Sequence, residues 1–241
     1  MLDHVTIRVS DREASRRFYD TVLGPLGHAR TRSGHYGDEW AEFRLSQAAG
    51  EPTRRLHVGF VSRSNEEVDA FWRAGVEAGH PSDGEPGLRP VYHDDYYGAF
   101  LLDPDGNSVE AVYHGRAREP GTTIDHLWLR VAELERSRRF WETIAPALGL
   151  RVRRSDRAER VHIERGDRSF ALLAGAPTAR LHLAFAVAGE GAVREFHRAA
   201  LAAGYRDDAS SGPAPRHPGG DAAPVLDPDG TSVEAVLGDR R

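Results

Sequence analysis

Six residues carry the chemistry this chain can do, and they come as two sets in sequence order: His4, His57 and Glu110, then His126, His182 and Glu234. Each set is two imidazoles and one carboxylate. That is the smallest protein ligand set holding a divalent metal while leaving coordination positions open, and it suits Fe, Mn, Zn, Ni or Co. A lone histidine near a strand start is more often a hydrogen-bonded structural residue, so the weight rests on three ligand types recurring together. Other chemistries are closed off. There is no cysteine for a thiolate ligand or thiol nucleophile, and all 32 basic residues are arginine, which excludes a lysine Schiff base.

The elements that must position these residues are written twice. Asp3-His4-Val5-Thr6-Ile7-Arg8-Val9 matches Asp125-His126-Leu127-Trp128-Leu129-Arg130-Val131, and Ser15-Arg16-Arg17-Phe18-Tyr19 matches Ser137-Arg138-Arg139-Phe140-Trp141. Leu56-His57-Val58 returns as Leu181-His182-Leu183, and Asp103-Pro104-Asp105-Gly106 leads into Ser108-Val109-Glu110 as Asp227-Pro228-Asp229-Gly230 leads into Ser232-Val233-Glu234. Self-similarity at this period defines tandem domains, 1–115 and 122–241, with linker chemistry around Gly115 to Gly121. Strand alternation puts Val5, Ile7 and Val9 on one face and His4, Thr6 and Arg8 on the other. Ser10 with Glu13, and Ser64 with Glu67, read as capping boxes opening helices that stop near Gly24 and Gly79. Further helices are read at Ala132 to Pro146 and Gly191 to Gly204. Strands are read at His28 to Ser33, Trp40 to Ser46, Gly98 to Leu102 and Ser108 to Tyr113, with a Gly/Pro-rich loop before the closing hairpin. The result is an α+β chain of four βαβββ-like units, at about 1–50, 55–115, 122–176 and 180–241.

Parity turns His4, His57 and Glu110 away from their strands' bulky apolar residues, so they are expected to share one cavity, with His126, His182 and Glu234 sharing another. Whether each barrel closes within one half or by exchanging units is left open, because the same pairing surfaces serve both. Tyr92, His93, Tyr96 and Tyr97 cluster in the loop before the last hairpin, and Tyr92, His93 and Tyr97 are candidate catalytic groups for proton transfer. His217 answers His93, but Gly219-Gly220-Asp221 replaces the tyrosines. The first half is therefore expected to be the more complete site.

This constellation resembles the vicinal oxygen chelate superfamily, which includes glyoxalase I, extradiol dioxygenases, fosfomycin-resistance transferases, methylmalonyl-CoA epimerase and the metal-free bleomycin-resistance proteins. The resemblance rests on the two His strands, the Arg-Phe-Tyr helix and the run Tyr97 to Glu110, and spans nearly the whole chain. It implies two tandem domains whose four βαβββ units form two open mixed-sheet barrels, each holding a divalent metal. A fourth carboxylate of the glyoxalase I kind would fall at Glu42, whose counterpart is Ser169. Thr6, Arg8, Trp40, Glu42 and Trp128 are candidate substrate-binding residues. The implied function is a metal-dependent enzyme that chelates vicinal oxygens of a small molecule, as a lyase or isomerase or as an extradiol-type dioxygenase. The rival is a non-catalytic protein that sequesters an antibiotic or aromatic metabolite.

Net charge of -5 and a sequence pI near 6.2 leave no basic footprint, so no nucleic-acid partner is expected. No apolar run approaches membrane-spanning length, so no membrane partner is expected either. A cytoplasmic monomer or homodimer binding a small molecule is the expectation.

Overall fold

The computed structural model describes residues 2–38, 41–116, 123–155, 159–166, 168–208 and 224–238. Most of the expected linker, from residue 117, lies outside them. The chain divides into two compact units, Ile7–Leu127 and Trp128–Arg241 together with Met1–Thr6. Both divisions fall inside strands, β1 (Leu2–Val9) and β8 (Ile124–Val131).

The Ile7–Leu127 unit continues from β1 through α1 (Arg12–Leu23), β2 (Tyr36–Asp38), β3 (Ala41–Gln47), β4 (Leu56–Val61), α2 (Asn65–Glu77), β5 (Ser82–Leu88), β6 (Tyr97–Leu102) and β7 (Ser108–Tyr113) to the start of β8. Helix α1 packs on α2. Beneath them Phe18, Tyr19, Phe43 and Phe60 form a fully buried aromatic cluster, joined by edge and tilted ring contacts. Asp11, not Ser10, caps α1: its carboxylate accepts the Glu13 and Ala14 amides, while the Ser10 amide donates to Asp105 in the hairpin turn. Ser64 caps α2 as read. The strand expected at His28 to Ser33 is instead a turn-rich segment with a single bridge at Arg30, and β2 begins only at Tyr36. The Gly/Pro-rich loop contains edge strand β5, whose register slips at Gly84 and Gly87 where Pro86 cannot donate a ladder bond.

The second unit holds the rest of β8, then α3 (Leu134–Leu148), β9 (Arg151–Arg154), β10 (Arg160–Arg165), β11 (Arg168–Ala174), β12 (His182–Val187), α4 (Glu190–Ala202), β13 (Arg206–Asp207), β14 (Val225–Leu226) and β15 (Ser232–Leu237). Its core repeats the theme, with Phe140, Trp141, Phe170 and Phe185 buried under α3 and α4. The strands make two mixed sheets, neither closed: seven strands in the order β13-β14-β15-β12-β1-β3-β2 and eight in the order β5-β6-β7-β4-β8-β11-β10-β9. Each hairpin turns as its sequence demands. Gly106 and Gly230 take φ of +82° and +88°, and Asp103 and Asp227 accept two following amides each. Among the described residues no helix is long and apolar enough to cross a membrane.

Candidate metal centres

Two clusters of ligand-type side chains form, one within each unit: His57, Glu110 and His126, and His4, His182 and Glu234. The six residues are those read from sequence, but the grouping differs. His4 was expected to share a cavity with His57 and Glu110; it lies instead with His182 and Glu234. Strand pairing is the cause. The opening of β1 pairs antiparallel with β12, setting His4 opposite Ala184, and β8 lies beside β4, setting His126 over Gly59.

In the His57 centre, β4 and β7 run parallel with His57 opposite Ser108 and Gly59 opposite Glu110, so His57 and Glu110 project from one face as diagonal neighbours. The His57 Nε2 lies 2.9 Å from Glu110 Oε2 and 3.1 Å from His126 Nε2, and His126 Nε2 lies 3.3 Å from Glu110 Oε2. Ligand atoms about 2.1 Å from one ion, at octahedral or tetrahedral angles, stand roughly 3.0–3.4 Å apart, so these spacings fit a divalent metal held by all three. Gly59 lets the ring sit this close: a Cβ at that position would lie 2.5 Å from the His126 ring.

Each of these three side chains is held from behind. Asp125 Oδ2 lies 2.8 Å from His126 Nδ1, and both Asp125 oxygens lie 3.1 Å from His114 Nε2. His57 Nδ1 lies 3.2 Å from Ser108 Oγ, which donates to Asp83 at 2.7 Å. The Tyr96 hydroxyl donates to Glu110 Oε1 at 2.7 Å in a buried contact. Partners of this kind fix the tautomer and ring angle of a metal-binding histidine. Burial alone would raise the Glu110 carboxyl, but the hydrogen bonds from His126 and His57 outweigh it and hold the group at about 2. Burial works against a charge on His126, yet Asp125 and Glu110 raise it to about 10. His57 is pushed down by burial. Asp125 is held far below the usual carboxylate range: burial opposes this, and His114 and His126 overcome it.

The His182 centre repeats the plan. β12 and β15 run parallel with His182 opposite Ser232 and Ala184 opposite Glu234. The two imidazoles stack at 5.2 Å and 26°, against 5.2 Å and 29° for His57 and His126. Asp3 backs His4 at 2.8 Å, and Ser232 Oγ lies 3.0 Å from His182 Nδ1. The set is looser: His182 Nε2 to Glu234 Oε2 is 3.4 Å, against 2.9 Å for His57 and Glu110. Gly238 stands where the other copy has His114.

The remaining candidates scatter. Tyr97 faces the other side of β6 and donates to Asp69 of α2 at 2.9 Å, because β6 alternation gives the metal side to Gly98; it is not part of the site. His93 is exposed, its Nδ1 accepting the Asp95 amide. Tyr92 is 40% exposed, its ring 5.0 Å from that of Tyr96. Thr6 is half-buried on the His4 face of β1, opposite His182. Arg8 is half-buried, its backbone tied to Thr53. Trp128 lies under the Arg160 guanidinium, 4.9 Å from its ring centre. Trp40 and His217 lie outside the described residues, as does the side chain of Glu42. Sequence reasoning missed the backing residues. The repeated Asp before each first histidine and the repeated Ser two before each Glu were visible signals; His114 and Asp83 had none.

The family model described as "Glyoxalase/Bleomycin resistance protein/Dioxygenase superfamily" matches residues 1–111 and again 123–235. A Brassica oleracea var. gemmifera protein named "Putative lactoylglutathione lyase" is 29% identical over 170 residues, a match spanning 65% of this chain and 57% of that protein's length. Among solved structures, glyoxalase I from Zea mays superposes with a TM-score of 0.66 at 20% identity, covering 98% of this chain and 92% of that one. A "putative dioxygenase" from Bacillus subtilis superposes with a TM-score of 0.60 at 14% identity, covering 99% and 85%. One fold thus carries proteins named for different reactions. Two family segments, two His/His/Glu clusters and the shared fold agree: the chain belongs to the Glyoxalase/Bleomycin resistance protein/Dioxygenase superfamily.

Proposed function

We propose that this chain is a divalent-metal enzyme acting on a small molecule that offers two neighbouring oxygens, and that its reaction is of the glyoxalase lyase or isomerase type. The observation that carries this is the spacing of 2.9, 3.1 and 3.3 Å among the His57, Glu110 and His126 ligand atoms, with each ligand braced from behind. A bound divalent ion supplies charge stabilisation at the substrate oxygens and acidifies protons beside them. The chain's own groups do the rest. Glu110 stays anionic and offers Oε2, Asp125 turns His126 Nε2 toward the ligand cluster, and Ser108 does the same for His57. Tyr92 is the member of the tyrosine loop proposed for proton transfer at the His57 centre, and Thr6, on the His4 face of β1, is proposed to contact substrate at the His182 centre. The lyase choice leans on the name of the Brassica relative.

Two histidines and one carboxylate are also the ligand set of non-haem Fe(II) oxygenases, which makes extradiol-type ring cleavage the second reading. Protein purified without chelator, loaded separately with Zn, Ni, Co, Mn or Fe(II), is to be assayed for lactoylglutathione formation and for oxygen uptake with catechols. Metal-dependent lactoylglutathione formation supports the lyase, and oxygen uptake with Fe(II) alone supports the dioxygenase. Inactivity with every metal, together with chelator-insensitive binding of an aromatic natural product, overturns both in favour of sequestration.

A further inference from the structure

We propose that Tyr96 and His114 are positioning residues of the His57 centre, fixing Glu110 as a one-oxygen ligand and making this the tighter of the two centres; this rests on the metal reading above. Glu110 is 1% exposed and its two oxygens have different neighbours. Oε2 faces both Nε2 atoms, whereas Oε1 accepts the Tyr96 hydroxyl at 2.7 Å. The slot for that bond is built into the backbone. Gly98 sits so close that a Cβ would lie 2.6 Å from Oε1 and 3.3 Å from the Tyr96 ring. With Oε1 committed to Tyr96, Glu110 would offer a bound ion only Oε2.

Tyr96 is also joined to the other side of the cluster. Its ring packs edge-on against His114 at 5.1 Å and 83°, and His114 holds the Asp125 that backs His126. A chain of contacts therefore runs from Glu110 through Tyr96, His114 and Asp125 to His126, tying two ligands to one scaffold. The loop anchors Tyr96 through its backbone, which donates to His93 and accepts from Arg89. The other copy lacks both parts in its sequence. No tyrosine follows Tyr205, and Gly238 replaces His114.

Chelator-stripped full-length protein carrying His182→Ala, so that only the His57 centre reports, is to be titrated with Co(II) while its visible absorption is followed. Tyr96→Phe is expected to weaken Co(II) binding about 10- to 100-fold, the usual effect of losing such a partner, and to change the band intensity as the freed oxygen joins the ion. His114→Ala is expected to weaken binding similarly, and His114→Gln, which keeps an N–H donor for Asp125, to recover most of it. Folding is checked by circular dichroism. Affinity and spectrum unchanged in both Tyr96→Phe and His114→Ala overturn this assignment while leaving the metal reading standing. Absence of Co(II) binding in the parent overturns both.

Discussion

At the scale of single residues, the two centres differ by one methyl group in matching places, Gly59 beneath His126 and Ala184 opposite His4. An added Cβ must displace the His126 ring, which Asp125 holds at its far nitrogen. Gly59→Ala should therefore distort the centre at an overpacking cost of about 1–3 kcal/mol, weakening metal binding roughly tenfold or more; titration of the variant checks this. Protonation makes a second prediction. His126 is raised to about 10 in the metal-free protein by Asp125 and Glu110, against its own burial, so it carries a proton at neutral pH. A metal needs that nitrogen bare. Loading the His57 centre near pH 7.5 should release about one proton from His126, and affinity should rise with pH up to about 10. Calorimetry in buffers of differing ionisation enthalpy measures the proton count, and zero release would contradict the assigned charge.

At the scale of elements, the hairpin turn shows how a repeat keeps backbone geometry while losing a contact. Asp103 uses both oxygens: Oδ1 accepts the Asp105 and Asn107 amides, and Oδ2 accepts the Tyr19 hydroxyl and the Asn107 side chain. Asp227 keeps the two amide bonds, but its buried Oδ2 has no hydrogen-bond partner among the described residues, and Trp141 stands where the first copy has Tyr19. Burial raises the Asp227 carboxyl to about 6. A carboxyl raised in the folded state favours folding below its unfolded value near 3.8 and loses that contribution as pH rises through about 6. The cost at pH 8 is of order 3 kcal/mol. Asp227→Asn should therefore raise the melting temperature by about 5 °C or more at pH 8, with the gain vanishing below pH 4; equal melting at pH 8 would contradict it. Helices, hairpins and the alternation of β1 and β4 were legible because periodicity and turn chemistry are local. The α1 cap moved from Ser10 to Asp11 because the hairpin claimed the Ser10 amide, a contact 95 residues away in sequence. Strand β5 was hidden because glycine and proline in Ser82–Leu88 read as a loop, although an edge strand with bulges tolerates them.

At the scale of the whole molecule, the repeat disclosed the residues of both His/His/Glu clusters found among the described residues, and the fold class, because each lies in a motif written twice. It did not disclose partnership. Four similar units offer the same strand edges to one another, and only the pairing of β1 with β12 and the seating of β8 beside β4 decide which histidine completes which cluster. Tyr96 stood in a visible tyrosine cluster, yet which of three tyrosines reaches Glu110 depended on where β6 begins: Tyr97 is in the strand and faces α2, while Tyr96 just before it donates to the carboxylate. Which histidines pair, His57 with His126 and His4 with His182, is tested by metal stoichiometry in crossed double variants reconstituted with Mn(II) or Zn(II) and measured by elemental analysis. Wild type should hold two ions per chain, His57→Ala/His126→Ala one, and His4→Ala/His57→Ala none. Retention of one ion by His4→Ala/His57→Ala, with none held by His57→Ala/His126→Ala, would contradict the account.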